Sequence, residues 1–287
     1  MNTSYKIEQT ASIGSVTLKV KDLNRISEYY QELGLTVIEA AEDKVSLGVS
    51  GSDQPLLVLK TIQNAVDRRA AGLFHTAFLL PSRKDLGDTL YRLLVKKIPI
   101  DGASDHGYSE AIYLQDPEGN GIEIYRDKPK SEWDIREDGR IAGITIEMDA
   151  DGVIESRDQS GTVEKFPENT TIGHIHLSII DLDETQAFYQ QLGFDLTDQF
   201  GDQARFFSAG GYHHHIGTNI WMGKNLPKLS EEDLGLESYS VLLSSEESLE
   251  KLKQIIELRG ILVLEDTHEV LSVLDPNGIK VIFELRR

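Results

Sequence analysis

Alternation of apolar and polar residues sets the first expectation. In Ile172-Gly173-His174-Ile175-His176-Leu177-Ser178-Ile179, a period of two places His174, His176 and Ser178 on one strand face and Ile175, Leu177 and Ile179 on the other. Val16-Thr17-Leu18-Lys19-Val20 has the same period, and the chain then switches to a helical pattern over Leu23 to Gln31, followed by Gly34 and strands to Leu59. Ile172 to Trp221 repeats that plan: strand, Asp181, helix Glu184 to Gln191, Gly193-Phe194, then strands. Glu28-Tyr29-Tyr30-Gln31-Glu32-Leu33-Gly34-Leu35 and Ala187-Phe188-Tyr189-Gln190-Gln191-Leu192-Gly193-Phe194 match in type at almost every position. One unit is used twice.

Gly72 to Tyr125 adds a related unit: strand His75 to Leu80, helix Lys84 to Lys96, a strand near Ala111 to Leu114, the turn Asp116-Pro117-Glu118-Gly119-Asn120-Gly121 and a last strand, Ile122 to Tyr125. Gly235 to Leu285 has the same order, with helix Glu246 to Arg259, the turn Asp275-Pro276-Asn277-Gly278 and a last strand from Ile279. Pro presets φ in such turns, and Gly accepts the positive φ that follows. The expectation is an α+β chain of four βαβββ modules in two tandem domains, residues 10–127 and 170–287, joined by a linker at 128–169. In that linker Ile141 to Met148 has the pattern of an extra strand, and Asp149-Ala150-Asp151-Gly152 reads as a solvated turn, because it lacks the later ligands of a calcium loop. The aromatic residues of the helices read as core.

Composition narrows the function. The chain has 287 residues, enough for two domains with separate cores, and no apolar run long enough for a membrane span. The polar start, Met1 to Thr10, has no signal-type apolar core, so a cytoplasmic protein is expected. With no Cys, any metal must sit on His, carboxylate or water. A formal charge of −19 disfavours nucleic acid and anionic membranes, which leaves a small molecule as the expected partner, with a monomer or homo-oligomer both open. Five of the eight His lie between Ile172 and Trp221, including the run Tyr212-His213-His214-His215-Ile216.

Repeated βαβββ modules with a His early in the first strand, an Asp seven residues later, a Phe-Tyr helix and Gly-Phe after it resemble the vicinal oxygen chelate superfamily. The likeness covers nearly the whole chain outside the linker, and is nearest to the two-domain bacterial extradiol catechol 2,3-dioxygenases. It implies that two modules curl into a cup around a divalent metal, with ligands from the first strand of each module and the last strand of one. Counting back seven residues gives Ser15 from Asp22 and His174 from Asp181. Module two offers His75 at the head of its first strand and Glu123 in its last; module four offers Tyr239 and Ile282, with Glu284 two residues further along. Pairing within domains leaves neither cup with three ligands. If module two pairs with module three, His75, Glu123 and His174 share one cup, an exchange similar to that of glyoxalase I and the fosfomycin thiol transferases.

The resemblance then implies a 2-His-1-Glu site, His75, Glu123 and His174, for Fe(II), with Mn(II), Zn(II) or Ni(II) as further metals. A catechol or substituted catechol and dioxygen are the implied reactants. A His beside the metal is expected as acid/base, assigned to His215 by the match to the family's His-His, with His214 as the open alternative. His176 and Asn219 are expected to line the site, and Tyr125, which shares a face with Glu123, is the candidate for a substrate-orienting Tyr. His106 and His268 read as surface residues. The competing functions are a glyoxalase-type isomerase, lyase or thiol transferase, which usually carries a second Glu where Asn219 lies, and a non-catalytic protein that sequesters a small molecule.

Overall fold

The computed structural model describes residues 5–157 and 163–286. Each of the four modules opens with a long strand: Ser12–Val20, Gly72–Leu80, Thr171–Ser178 and Gly235–Leu243. Each strand leads into a helix whose first turn is closed by a side chain. Asp22 accepts from the amide of Arg25, Ser82 from Asp85, Asp181 from Glu184 and Ser245 from Ser248. The Asp seven residues beyond Ser15 and seven beyond His174 is thus a helix cap in modules one and three. The helices are Leu23–Leu33, Arg83–Lys96, Leu182–Gln191 and Glu246–Arg259, and their buried faces include Ile26 and Tyr30, Leu86 and Leu93, Phe188 and Tyr189, and Leu252 and Ile256.

Sheet topology pairs modules across the chain. Strands of modules two and three form one nine-stranded sheet, edged by the linker strand Ile146–Glu147, while modules one and four form an eight-stranded sheet. The central seam of the first is the antiparallel pair Gly72–Leu80 and Thr171–Ser178, with His176 opposite His75 and His174 opposite Ala77. In the second, Ser12–Val20 runs antiparallel to Gly235–Leu243, with Thr17 opposite Ser238. The apolar face of both sheets and the helices share one core, which runs from Val16 and Leu18 through Phe78 and Ile124 to Ile175, Val241 and Phe283.

The two Asp-Pro turns bind the sheets to each other. Asp116 accepts from the amides of Glu118 and Asn120, and Glu118 in turn accepts from the amides of Lys21 and Asp22 in module one. Asp275 accepts from the amides of Asn277 and Ile279, and Asn277 reaches Ile180 and Thr185 of module three. Gly119 and Gly278 both hold φ near +85°, the value these turns require. The linker is structured in part: Ile141–Ala142 and Ile146–Glu147 are short strands, and Met148 and Phe166 are buried in the core. Asp149, expected in a solvated turn, instead caps the helix Ala150–Glu155 and pairs with Arg83, because Gly152 brings an amide back onto its carboxylate.

Burial raises the Asp275 carboxyl from 3.8 to about 6, although the amides around it pull the other way. The folded state therefore holds this proton more tightly than the unfolded chain, and the ionised group weakens folding above pH 6 by about 3 kcal/mol. That penalty fades as pH falls from about 6 to 4. Urea unfolding of the wild type and Asp275→Asn at pH 7 and pH 4 should show the wild type gaining 1–3 kcal/mol, roughly, relative to the variant at the lower pH. A constant difference would contradict the assignment.

Candidate metal centre

His174, Ala77, Glu123 and Tyr113 lie in one row across four adjacent strands, since His174 faces Ala77, Ala77 faces Glu123 and Glu123 faces Tyr113. Period-two alternation turns all four side chains to the concave face. A methyl group is all that stands between His174 and Glu123, so their longer side chains meet above Ala77. His75, two positions before Ala77 on the same strand, enters from the same face.

The three donors converge tightly. Nε2 of His75 and Nε2 of His174 lie 3.0 and 3.1 Å from Oε2 of Glu123, and the two nitrogens are 3.3 Å apart. All three residues are buried, and they form the one group of His and carboxylate donors close enough together to hold a metal ion among the described residues. Burial alone would raise the Glu123 carboxyl, but the His174 and His75 rings hold it well below the usual carboxylate range. Burial lowers His174 to about 4, so it is neutral at pH 7, as a metal ligand must be.

These positions fit a divalent ion. Two ligand atoms bound about 2.1 Å from an ion at right angles are about 3 Å apart, which is the spacing found. Without a cation, two imidazole nitrogens facing each other and one carboxylate oxygen would oppose lone pairs or crowd two N–H groups. Two imidazoles and a carboxylate on one face leave other coordination positions open, the arrangement suited to non-haem iron. A surface cleft of about 860 Å³, lined by Lys21, Arg25, Glu118 and Leu229 among others, holds none of the three donors.

The surroundings sort the remaining expectations. The His176 ring packs 4.9 Å from His75, walled by Phe74, Phe206 and Trp221 at 5.2, 5.8 and 5.4 Å. Its Nε2, Nδ1 of His174, Oγ of Ser178 and Nδ2 of Asn219 are buried with no protein partner. Asn219 stands opposite Ser178, further along the same face. Tyr125 packs 4.9 Å from His174, but its hydroxyl is bonded to that of Tyr212.

His215 departs from expectation: its Nδ1 is bonded to Ser208 and Ala209, and its ring packs against Tyr212. His214 takes the place beside the donors, 4.2 Å from the His174 ring. The physical reason is that regular strand pairing begins only at Ile216, after Gly210 and Gly211 with φ of +62° and +67°, so alternation does not extend back through the histidine run. Burial lowers both imidazoles, His215 to about 3.

Two residues escaped the sequence reading. Tyr113 interacts with Glu123, and burial keeps its hydroxyl protonated; that hydroxyl lies 2.6 Å from Nε2 of His106. His106, expected at the surface, is half-buried, with Nδ1 2.9 Å from the Ile144 carbonyl of the linker. The available signal was the pairing of the last two strands of module two, which sets Tyr113 opposite Glu123. His268 is exposed, beside Glu246.

In the eight-stranded sheet the same row reads Ser15, Ser240, Ile282 and Ser272, and Ser238 occupies the position of His75. Tyr239, taken as that position in the sequence, points into the core, where its hydroxyl meets Tyr189. The shift by one follows from Gly235-Leu236-Glu237-Ser238 aligning with Gly72-Leu73-Phe74-His75.

Comparison with known proteins agrees with this architecture. The chain is 40% identical over 286 residues to a catechol-2,3-dioxygenase of Bacillus subtilis (strain 168), covering 96% of this chain and 98% of that protein. Its fold is similar to that of a putative dioxygenase from Bacillus subtilis subsp. subtilis str. 168, with a TM-score of 0.65, 14% identity, and coverage of 98% of this chain and 86% of that one. It is also similar to glyoxalase I from Zea mays, with a TM-score of 0.58, 14% identity, and coverage of 96% and 92%. The model of the glyoxalase/bleomycin resistance protein/dioxygenase superfamily matches residues 12–124 and 171–287, and the chain belongs to that superfamily.

Proposed function

We propose that the protein is a non-haem Fe(II) extradiol ring-cleaving dioxygenase acting on catechol or a substituted catechol. The observation that carries this reading is the facial set of Nε2 of His75, Nε2 of His174 and Oε2 of Glu123 at 3.0 to 3.3 Å from one another. The catechol-2,3-dioxygenase relative supports it. No second carboxylate joins the three donors among the described residues, which favours oxygen chemistry over a glyoxalase-type isomerase.

His75, His174 and Glu123 would hold the ion. When bound, Fe(II) supplies a Lewis acid for the vicinal oxygens of a catechol and a route for electrons from the ring to dioxygen. Phe74, Phe206 and Trp221 give the cup an apolar wall suited to packing against an aromatic ring. His214, beside His174, is placed to take a proton from a substrate hydroxyl and to return one to oxygen. The unpartnered Nε2 of His176 and Nδ2 of Asn219 offer hydrogen bonds within the cup. Tyr113, bonded to Nε2 of His106, stays protonated and neutral beside the Glu123 carboxylate.

Anaerobic loading with Fe(II), followed by air and catechol, should give a yellow ring-fission product with matching oxygen uptake; iron-loaded protein that does neither would defeat the dioxygenase reading while leaving the metal site intact. His75→Ala, His174→Ala and Glu123→Ala should each lower Fe(II) affinity by more than the ~10- to 100-fold typical of losing a supporting residue, measured by equilibrium dialysis. Ser238→Ala, at the corresponding place in the other sheet, should bind iron as the wild type does.

A further inference from the structure

His213 is a buried imidazole that neither the donor set nor the walls of the cup employ. Its ring stacks on Tyr108 at 4.3 Å and 12°. Its Nε2 lies 2.9 Å from Oδ1 of Asp127, and its Nδ1 lies 2.8 Å from Nδ1 of His214. An ionised carboxylate only accepts, so Nε2–H of His213 donates in the first contact. When the ring is neutral it has one N–H, and Nδ1 of His213 is then bare. The second contact is then donated by Nδ1–H of His214, and by the same count Nε2 of His214 is its bare nitrogen.

We infer that Asp127 and His213 are positioning residues that fix His214 in its Nδ1–H form, with Nε2 free to accept a substrate proton. The catalytic purpose of this chain of bonds rests on the dioxygenase reading of the cup. The step is one proton transfer: the O–H bond of the substrate hydroxyl breaks, an N–H bond forms at Nε2 of His214, and the same proton later returns to oxygen. While His214 holds it, the positive charge faces the Asp127 carboxylate through His213. Asp127 is partly open to solvent, at 22% side-chain exposure, so water reaches the far end of the chain of bonds. Tyr125 and Tyr212, joined hydroxyl to hydroxyl, brace the same side.

The tautomers can be read directly by long-range ¹H–¹⁵N NMR of metal-free, ¹⁵N-histidine-labelled full-length protein at about pH 8, where ordinary imidazoles are neutral. His213 should carry its proton on Nε2 and His214 on Nδ1. Asp127→Ala should release His214 into a mixture of forms, whereas Asp127→Asn, whose amide oxygen still accepts, should preserve them. With Fe(II) and catechol, Asp127→Ala should lower kcat by ~10-fold or more while KM stays within about twofold, and Asp127→Asn should recover part of the loss. A wild-type His214 protonated on Nε2, or a His214 tautomer unaltered in Asp127→Ala, would overturn the inference. Absence of ring cleavage by the iron-loaded wild type, with the expected tautomers present, would instead overturn the reading of the cup and the purpose assigned to the bonds.

Discussion

The antiparallel seam between Gly72–Leu80 and Thr171–Ser178 is the constraint on which the site depends. Strand register allows no gradual adjustment, because a slip of one residue turns every side chain to the opposite face. With His176 opposite His75 and His174 opposite Ala77, the register sends all three imidazoles to the concave side and apolar neighbours such as Phe78 and Ile175 to the core. The same alternation therefore builds the hydrophobic interior and assembles the polar cluster. The Asp-Pro turns reinforce it by tying each sheet to the other through Glu118 and Asn277.

Much of this was legible in the chain. The repeat gave the order of strands and helices, and the unequal distribution of donors made sense only if the second and third modules share a cup. What the pattern could not convey is how irregular segments phase their side chains. His214 and His215 illustrate the limit: period-two reckoning holds within a paired strand, and Gly210 and Gly211, both at positive φ, reset it before Ile216. Tyr113 and His106 were missed for a different reason. Their part depends on a neighbouring strand and on a linker carbonyl, contacts that no local spacing encodes.

The contrast between the two sheets separates what the fold requires from what chemistry requires. Both have the same strand order around a long antiparallel seam and the same capped helices, yet the eight-stranded sheet has Ser15, Ser238 and Ile282 at the positions of the three donors. The Ser240 hydroxyl accepts from the Ser15 amide, so this pair sits on its sheet face without a further ligand. Two imidazoles and a carboxylate within 3.3 Å instead crowd like donors together, a cluster that a cation would relieve.

Because each sheet takes one module from either half of the chain, the segment that joins the halves turns an encounter between two molecules into an internal one. A half-length progenitor with the same modules would have closed its sheets only by trading them with a twin, as an intertwined pair whose cups were equivalent by symmetry. Fusion through a tether replaces that concentration-dependent meeting with an effective local concentration in the millimolar range. It also frees the two cups to diverge, since a change in one copy no longer appears in both.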